Sequence, residues 1–214
     1  MSALTTAQKS DITSYVNMYR AKNQAPPMTW DDSIYIISQN WSKRLAGMHI
    51  IRHSGNNSYG ENIAFFQGYG SDPVDLIKKA IDAWYAEFAL YDFSKPGFSE
   101  STGHFTCLVW VASTKFAIGV SIDIPSTESY IVMNTSPPGN YIGEFDKNVL
   151  PLIGGQYIPP SGNNVIPPQL LTHKRIIFQA LYNIVNAINT NQPKSLIISI
   201  INNIIHQINT YPNF

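Results

Sequence analysis

The chain is poor in cysteine: one of its 214 residues, Cys107, carries a thiol. A single thiol cannot form an intramolecular disulfide, so a packed core rather than covalent cross-links must hold the fold together. The first residues also lack the basic start and continuous apolar stretch of a secretory signal peptide. Both observations favour an intracellular location over secretion.

Charge is scarce as well, because charged residues make up 13% of the chain and 14 basic side chains balance 14 acidic ones. No long basic run is present to neutralise a phosphate backbone, which excludes nucleic acid as an expected partner. The apolar segment within 196–208 is well short of the roughly 20 residues that span a bilayer. We therefore expect a soluble globular protein without a transmembrane span.

Apolar residues recur at helical spacing in three segments, 5–22, 31–48 and 71–88. Each segment begins at a Ser, Thr or Asp that can accept hydrogen bonds from the free backbone N–H groups of a first turn. The sequence therefore predicts three helices, with Glu87 on the third. The polar stretch 49–60 between the second and third segments predicts a surface loop.

Three later segments are rich in β-branched and aromatic residues: 105–112, 115–124 and 129–135. Short polar connections separate them, which predicts a three-stranded antiparallel meander. Helices that precede a run of strands indicate an α+β fold, in which helices cover a sheet.

The composition changes after this core domain, which we assign to residues 1–141. Proline and glycine are dense between Leu150 and Pro168, so 142–170 is interpreted as a linker or strap. Apolar residues return at helical spacing in 171–214, which predicts an amphipathic helical hairpin extension. Its apolar faces can pack on their own chain or in a homodimer; peripheral membrane contact is the alternative.

Five short motifs occur in order along the core domain. They are His53-Ser54, Gly60-Glu61-Asn62-Ile63, Trp84-Tyr85-Ala86-Glu87, the string GHFTCLVW from Gly103 to Trp110, and the string YIVMNTSPPGN from Tyr130 to Asn140. Their order and spacing resemble the CAP family of cysteine-rich secretory, antigen 5 and pathogenesis-related proteins, whose module is also called the SCP domain. The resemblance covers residues 5 to 141.

This resemblance implies an α-β-α sandwich with a three-stranded antiparallel sheet, and a cleft tetrad of His53, Glu61, Glu87 and His104. The chain departs from the family at Met133, where the second signature normally has a cysteine. It also lacks the usual disulfides. It therefore looks like a disulfide-free branch of the family, similar to the Golgi-associated plant pathogenesis-related protein.

Two imidazoles in a polar cleft suit Zn²⁺ or another divalent cation. We expect His53 and His104 to be the ligands, with Glu61 and Glu87 orienting the imidazoles or ligating directly. The alternative is a buried hydrogen-bond network that joins a loop, a helix and a strand without a metal.

Three functions remain open. The preferred one is a non-enzymatic module that binds a lipid, a sterol or a protein partner. The second is a metal-dependent, peptidase-like hydrolase with Glu61 and Glu87 as catalytic residues, although the HExxH motif is absent. The third is a structural protein that self-associates through its C-terminal helices.

Nucleophilic catalysis is not expected from the other candidate side chains. Ser54 is not part of a GxSxG turn, and Cys107 lies in an apolar string, where we expect a buried hydrophobic residue.

Overall fold

The computed structural model describes residues 3–152, which belong to the first of the chain's two units, Met1–Tyr157. In chain order the elements are α1 (Thr6–Lys22), β1 (Thr29–Trp30), α2 (Asp32–Met48), β2 (Gly60–Gln67), α3 (Pro73–Ala86), a 3-10 turn (Glu87–Leu90), α4 (Gly103–Leu108), β3 (Lys115–Asp123), β4 (Glu128–Ser136) and α5 (Phe145–Asn148). The three predicted helices are confirmed as α1, α2 and α3.

The sheet has four strands in the order β1-β3-β4-β2, and it is mixed. Strand β1 runs parallel to β3, whereas β4 pairs antiparallel with both β3 and β2. The predicted three-stranded antiparallel sheet was therefore wrong in strand number and in direction, although its last two strands are confirmed as β3 and β4. Strand β1 has two residues, too few for a periodic signal, and β2 begins at Gly60, the last residue of the predicted loop 49–60.

The segment predicted as the first strand, 105–112, instead begins within helix α4. At the start of α4, the backbone N–H groups of His104 and Phe105 donate to the Glu87 carboxylate at 2.9 and 3.0 Å. A carboxylate at a helix N-terminus satisfies donors that have no partner inside the helix and favours the helix dipole. This contact, made from outside the segment, outweighs the strand preference of its apolar residues.

Helices lie on both faces of the sheet, because alternate strand residues point to opposite sides. On one face, Ile118 and Ile131 pack in a core with residues of α1, α3 and α4. On the other face, Tyr130 and Val132 pack against Leu45 of α2. Trp110 is buried in the first core, whereas Trp41 is half-buried beside the second.

Part of the predicted linker, within residues 145–150, packs against the core domain. Phe145 and Val149 are buried in the first core, and Asn23 Nδ2 donates to the Leu150 carbonyl at 2.8 Å. The rest of the predicted linker and the predicted helical hairpin 171–214 lie outside the described residues, so both stay predictions. Across residues 3–152, none of the helices is both long and apolar enough to cross a bilayer.

Candidate functional site

His53 and Glu61 form the first half of the predicted tetrad. His53 lies in the loop before β2, and Glu61 is the second residue of β2. The His53 Nδ1 atom lies 2.8 Å from Glu61 Oε1, which also accepts the Ser54 backbone N–H at 2.9 Å. The imidazole is 66% exposed and the carboxylate side chain is 8% exposed. The pair therefore joins a solvent-facing ring to a buried acid.

The electrostatics of this pair favour charge on both partners. The hydrogen bond to Glu61 raises the pKa of His53, although burial of the ring opposes the shift. Burial acts against the charged form of Glu61, but hydrogen bonds from His53 and Ser54 outweigh it and lower the pKa of that carboxyl. Glu61 is therefore a carboxylate at neutral pH, with His53 as its donor.

Glu87 and His104 form the second half. Helix α3 ends at Ala86, so Glu87 lies in the following 3-10 turn rather than in the helix. Its Oε1 lies 2.7 Å from His104 Nδ1, while its Oε2 accepts the two backbone N–H groups at the start of α4. Glu87 therefore positions the backbone and the ring of His104 together.

The two pairs lie beside each other through the residues next to them in sequence. Asn62, adjacent to Glu61, donates from Nδ2 to the His104 carbonyl at 2.9 Å. Trp84 is buried, donates from Nε1 to the Ile63 carbonyl at 3.3 Å, and stacks on the His104 ring with centroids 6.4 Å apart. Trp84 is thus both a core residue and a wall beside His104.

The tetrad is arranged as two His–Glu pairs rather than as one four-ligand cluster. Among residues 3–152, no three of its candidate ligand atoms lie within 4.8 Å of one another. Each Glu accepts at Nδ1 of its own His, which places a proton on Nδ1. The neutral form of each ring therefore carries its lone pair on Nε2, and binding of a cation there would displace the second proton of a charged ring. Nε2, rather than Nδ1, is therefore the ring nitrogen that can bind an ion.

This donor set fits a divalent cation. Metal-bound imidazoles commonly donate their other ring N–H to a carboxylate, and both His53 and His104 have such a carboxylate. In addition, Glu61 Oε2 is buried and has no hydrogen-bond partner among the described residues. A buried carboxylate oxygen without a donor is costly, which a nearby cation would relieve.

The other residues considered for nucleophilic chemistry have structural surroundings. Cys107 is 2% exposed, and burial raises the pKa of its thiol to about 11. The Ser54 hydroxyl accepts the Asn56 backbone N–H at 3.2 Å within the loop. Neither arrangement resembles a nucleophile held against a base.

Comparison with known proteins identifies the family. Residues 13–134 match the CAP family profile, described as the cysteine-rich secretory protein family. The chain belongs to the CAP family. CAP relatives include PRY2 of Saccharomyces cerevisiae, 38% identical over 65% of this chain, and Golgi-associated plant pathogenesis-related protein 1 of Homo sapiens, 35% identical over 63% of it. The matches span 41% of the yeast protein and 87% of the human protein.

Solved structures agree with the CAP fold. NaASP2, determined with Zn²⁺, aligns with a TM-score of 0.54 at 22% identity, covering 65% of this chain and 84% of its own. Na-ASP-1 aligns with a TM-score of 0.55 at 19% identity, covering 77% of this chain and 47% of its own. At such identities these alignments support the fold, not the activity.

Proposed function

We propose that this CAP domain is a non-enzymatic binding module whose His53/His104 cleft holds a divalent cation such as zinc. The observation that carries the proposal is the pairing of each imidazole, through Nδ1, with its own carboxylate. This leaves two Nε2 atoms as nitrogen ligands of the kind zinc prefers. The Zn²⁺ named for the NaASP2 structure supports the same assignment.

The carboxylates act as positioning groups in this proposal. Glu87 Oε1 accepts from the His104 ring and its Oε2 accepts the two backbone N–H groups at the start of α4, so three donors of the fold already hold this carboxylate. The unpaired oxygen of Glu61 is buried from solvent. A general base must lie within hydrogen-bond reach of the attacking water. The geometry therefore favours binding over the alternative metal-dependent hydrolysis.

An apolar rim beside the cleft supports a lipid or sterol as the ligand. The ring of Phe98 lies against Gly103, and Asn140 donates to the Gly103 carbonyl at 3.0 Å. Phe98 is 51% exposed, and the two residues that follow Asn140 are Tyr141, 53% exposed, and Ile142, 83% exposed. Exposed apolar side chains that cluster next to a polar site are typical of ligand-binding surfaces.

The metal half of the proposal can be tested by zinc titration of the metal-stripped full chain, followed through the imidazole ¹⁵N resonances of its five histidines. We expect the Nε2 resonances of His53 and His104 to shift together, while those of His173 and His206 serve as internal controls. Titration in which neither His53 nor His104 responds would refute a cation in this cleft.

The ligand half needs a separate measurement. We expect a fluorescent sterol to bind saturably, and Ile142→Ser to weaken its binding. The matched control is Ile36→Ser, since Ile36 is also exposed, at 61%, but lies on α2. Equal weakening by both substitutions, or no saturable binding by the unmodified chain, would contradict a lipid role for the rim.

A further inference from the structure

A second group of metal-ligating side chains lies away from the cleft. His49 follows the last residue of α2, Asp123 ends β3 and Glu128 begins β4. One ligand atom from each lies within 4.8 Å of the others, and no other trio within residues 3–152 does so. The three residues come from two elements that pack against each other, α2 and the β3–β4 hairpin.

Each member of this trio is held in place by neighbouring groups. His49 adopts φ 50°, ψ 43°, the left-handed conformation that ends α2 and turns its ring toward the hairpin. Its Nδ1 lies 2.7 Å from Glu128 Oε2, which also accepts the Tyr130 hydroxyl at 2.9 Å. Asp123 Oδ2 accepts the Ser126 backbone N–H at 3.3 Å, which leaves its other oxygen available.

The charges of this region favour a cation. Asp123 and Glu128 are directly paired across β3 and β4, a position where like charges repel. Helix α2 has no basic residue in its own last turn, so His49 at the C-cap faces the negative end of the helix dipole. Two carboxylates and a helix C-terminus thus converge on one imidazole, an arrangement that a bound cation would stabilise.

We infer that His49, Asp123 and Glu128 form a binding site for a divalent transition cation, of which zinc is the best match. One imidazole nitrogen and two carboxylate oxygens are three protein ligands of the type zinc takes, and water can complete the shell. The ion would replace the proton between His49 and Glu128, joining the end of α2 to the hairpin. The inference does not depend on the proposed function.

This site is distinct from the His53/His104 cleft. Along β2, Glu61 pairs with Asn134, whereas Gln67 at the other end pairs with Glu128. The six-residue separation corresponds to roughly 20 Å at the usual rise of a strand. A paramagnetic ion in one site can therefore be distinguished from an ion in the other by the amides it broadens.

The test is a titration of the ¹⁵N-labelled full chain with Co²⁺, followed by amide spectra. We expect broadening of amides near His49 and in 123–128, both in the unmodified chain and in a His53→Gln/His104→Gln variant. His49→Gln should abolish that broadening, and Glu144→Gln, which removes an exposed carboxylate elsewhere, should leave it unchanged. Tyr130→Phe should weaken binding about tenfold, since groups that orient ligands affect affinity on this scale.

Unchanged amide positions outside the trio would verify that His49→Gln remains folded. As a second variant, Asp123→Asn keeps the side-chain shape while removing one charge, and we expect it to weaken binding as well. Broadening confined to the surroundings of His53 and His104 would overturn the inference. So would broadening near 123–128 that persists in both His49→Gln and Asp123→Asn.

Discussion

The Glu87 carboxylate binds both the ring and the backbone of His104, at 2.7 Å from Nδ1 and 2.9 Å from the backbone nitrogen. One side chain therefore begins helix α4 and sets the orientation of an imidazole in the cleft. This relationship connects the fold to the site, because the same residue that makes 103–108 helical holds Nδ1 of the His104 ring and leaves Nε2 on the side away from the carboxylate.

The structural part of this role predicts a stability effect without metal. Glu87→Ala removes an acceptor shared by three donors, and hydrogen bonds to charged groups are the stronger kind, so we expect a loss of about 2–4 kcal/mol in the free energy of unfolding. Urea unfolding of the metal-stripped chain measures it. Glu100→Ala, at an exposed carboxylate, is the control and should change stability by less than about 0.5 kcal/mol. Similar losses in both variants would argue against Glu87 as the organiser of α4.

Cys107 should be almost inert in the folded protein. Burial raises the pKa of its thiol from 9.0 to about 11, so at pH 8 the thiolate fraction falls about a hundredfold. Labelling by iodoacetamide should be slower than in the urea-unfolded chain by at least this factor. Labelling of the folded chain at the unfolded rate would contradict a buried thiol.

The same thiol predicts a loss of stability at alkaline pH. The folded state favours the neutral thiol, so its contribution is fully present below pH 9.0 and disappears as the pH rises toward about 11. A shift of this size corresponds to about 2–3 kcal/mol. Cys107→Ala should remove this part of the pH dependence and leave the part due to buried tyrosines such as Tyr130, whose pKa burial raises to about 12. An unchanged alkaline profile would refute the assignment.

Helix α2 approaches the sheet so closely that only glycine fits at position 119. A Cβ there would clash with the Gln39 backbone, so Gly119→Ala should cost about 3 kcal/mol or more. Gly47, in α2 with open space around it, is the matched control, and Gly47→Ala should stabilise the chain by roughly 0.5–1 kcal/mol. Thermal or urea unfolding compares the two; opposite signs are the expected result. A neutral Gly119→Ala would show that this packing is looser than the structure has it.

Arg20 is fully buried, and its guanidinium donates to backbone carbonyls rather than to a carboxylate. The acceptors are the carbonyls of Pro26, Leu108, Trp110 and Ser113, at 2.9 to 3.0 Å. Lysine has the charge but not the planar fork, so Arg20→Lys should cost at least about 3 kcal/mol in urea unfolding. The exposed Arg44→Lys is the control, expected within about 0.5 kcal/mol. Equal effects would mean that charge alone, without the fork, suffices.

The sequence predicted the elements whose signal is local. Helices α1, α2 and α3 have apolar periodicity and a polar residue before their first turn, and β3 and β4 have long β-branched runs. The sequence did not predict elements that depend on contacts with residues distant in the chain. The start of α4 depends on Glu87, and the two residues of β1 depend on β3. No pattern in the neighbouring residues indicates either contact.

The sequence analysis also did not predict the buried polar contacts. Ser38 of α2 contacts Asn134 at 2.9 Å and Ser42 contacts Ser121 at 2.8 Å, so the sheet-facing side of that helix is partly polar rather than the apolar stripe its periodicity suggested. At the site, motif resemblance supplied the four residues. Their division into His53 with Glu61 and His104 with Glu87 required the structure.

The most direct test of the central claim is a crystal of the full chain soaked with zinc, measured on both sides of the zinc absorption edge. The cleft proposal predicts an anomalous peak in bonding contact with Nε2 of both His53 and His104, with Nδ1 of each still hydrogen-bonded to its Glu. A well-ordered cleft with no anomalous peak at saturating zinc, or a peak that contacts neither imidazole, would contradict it.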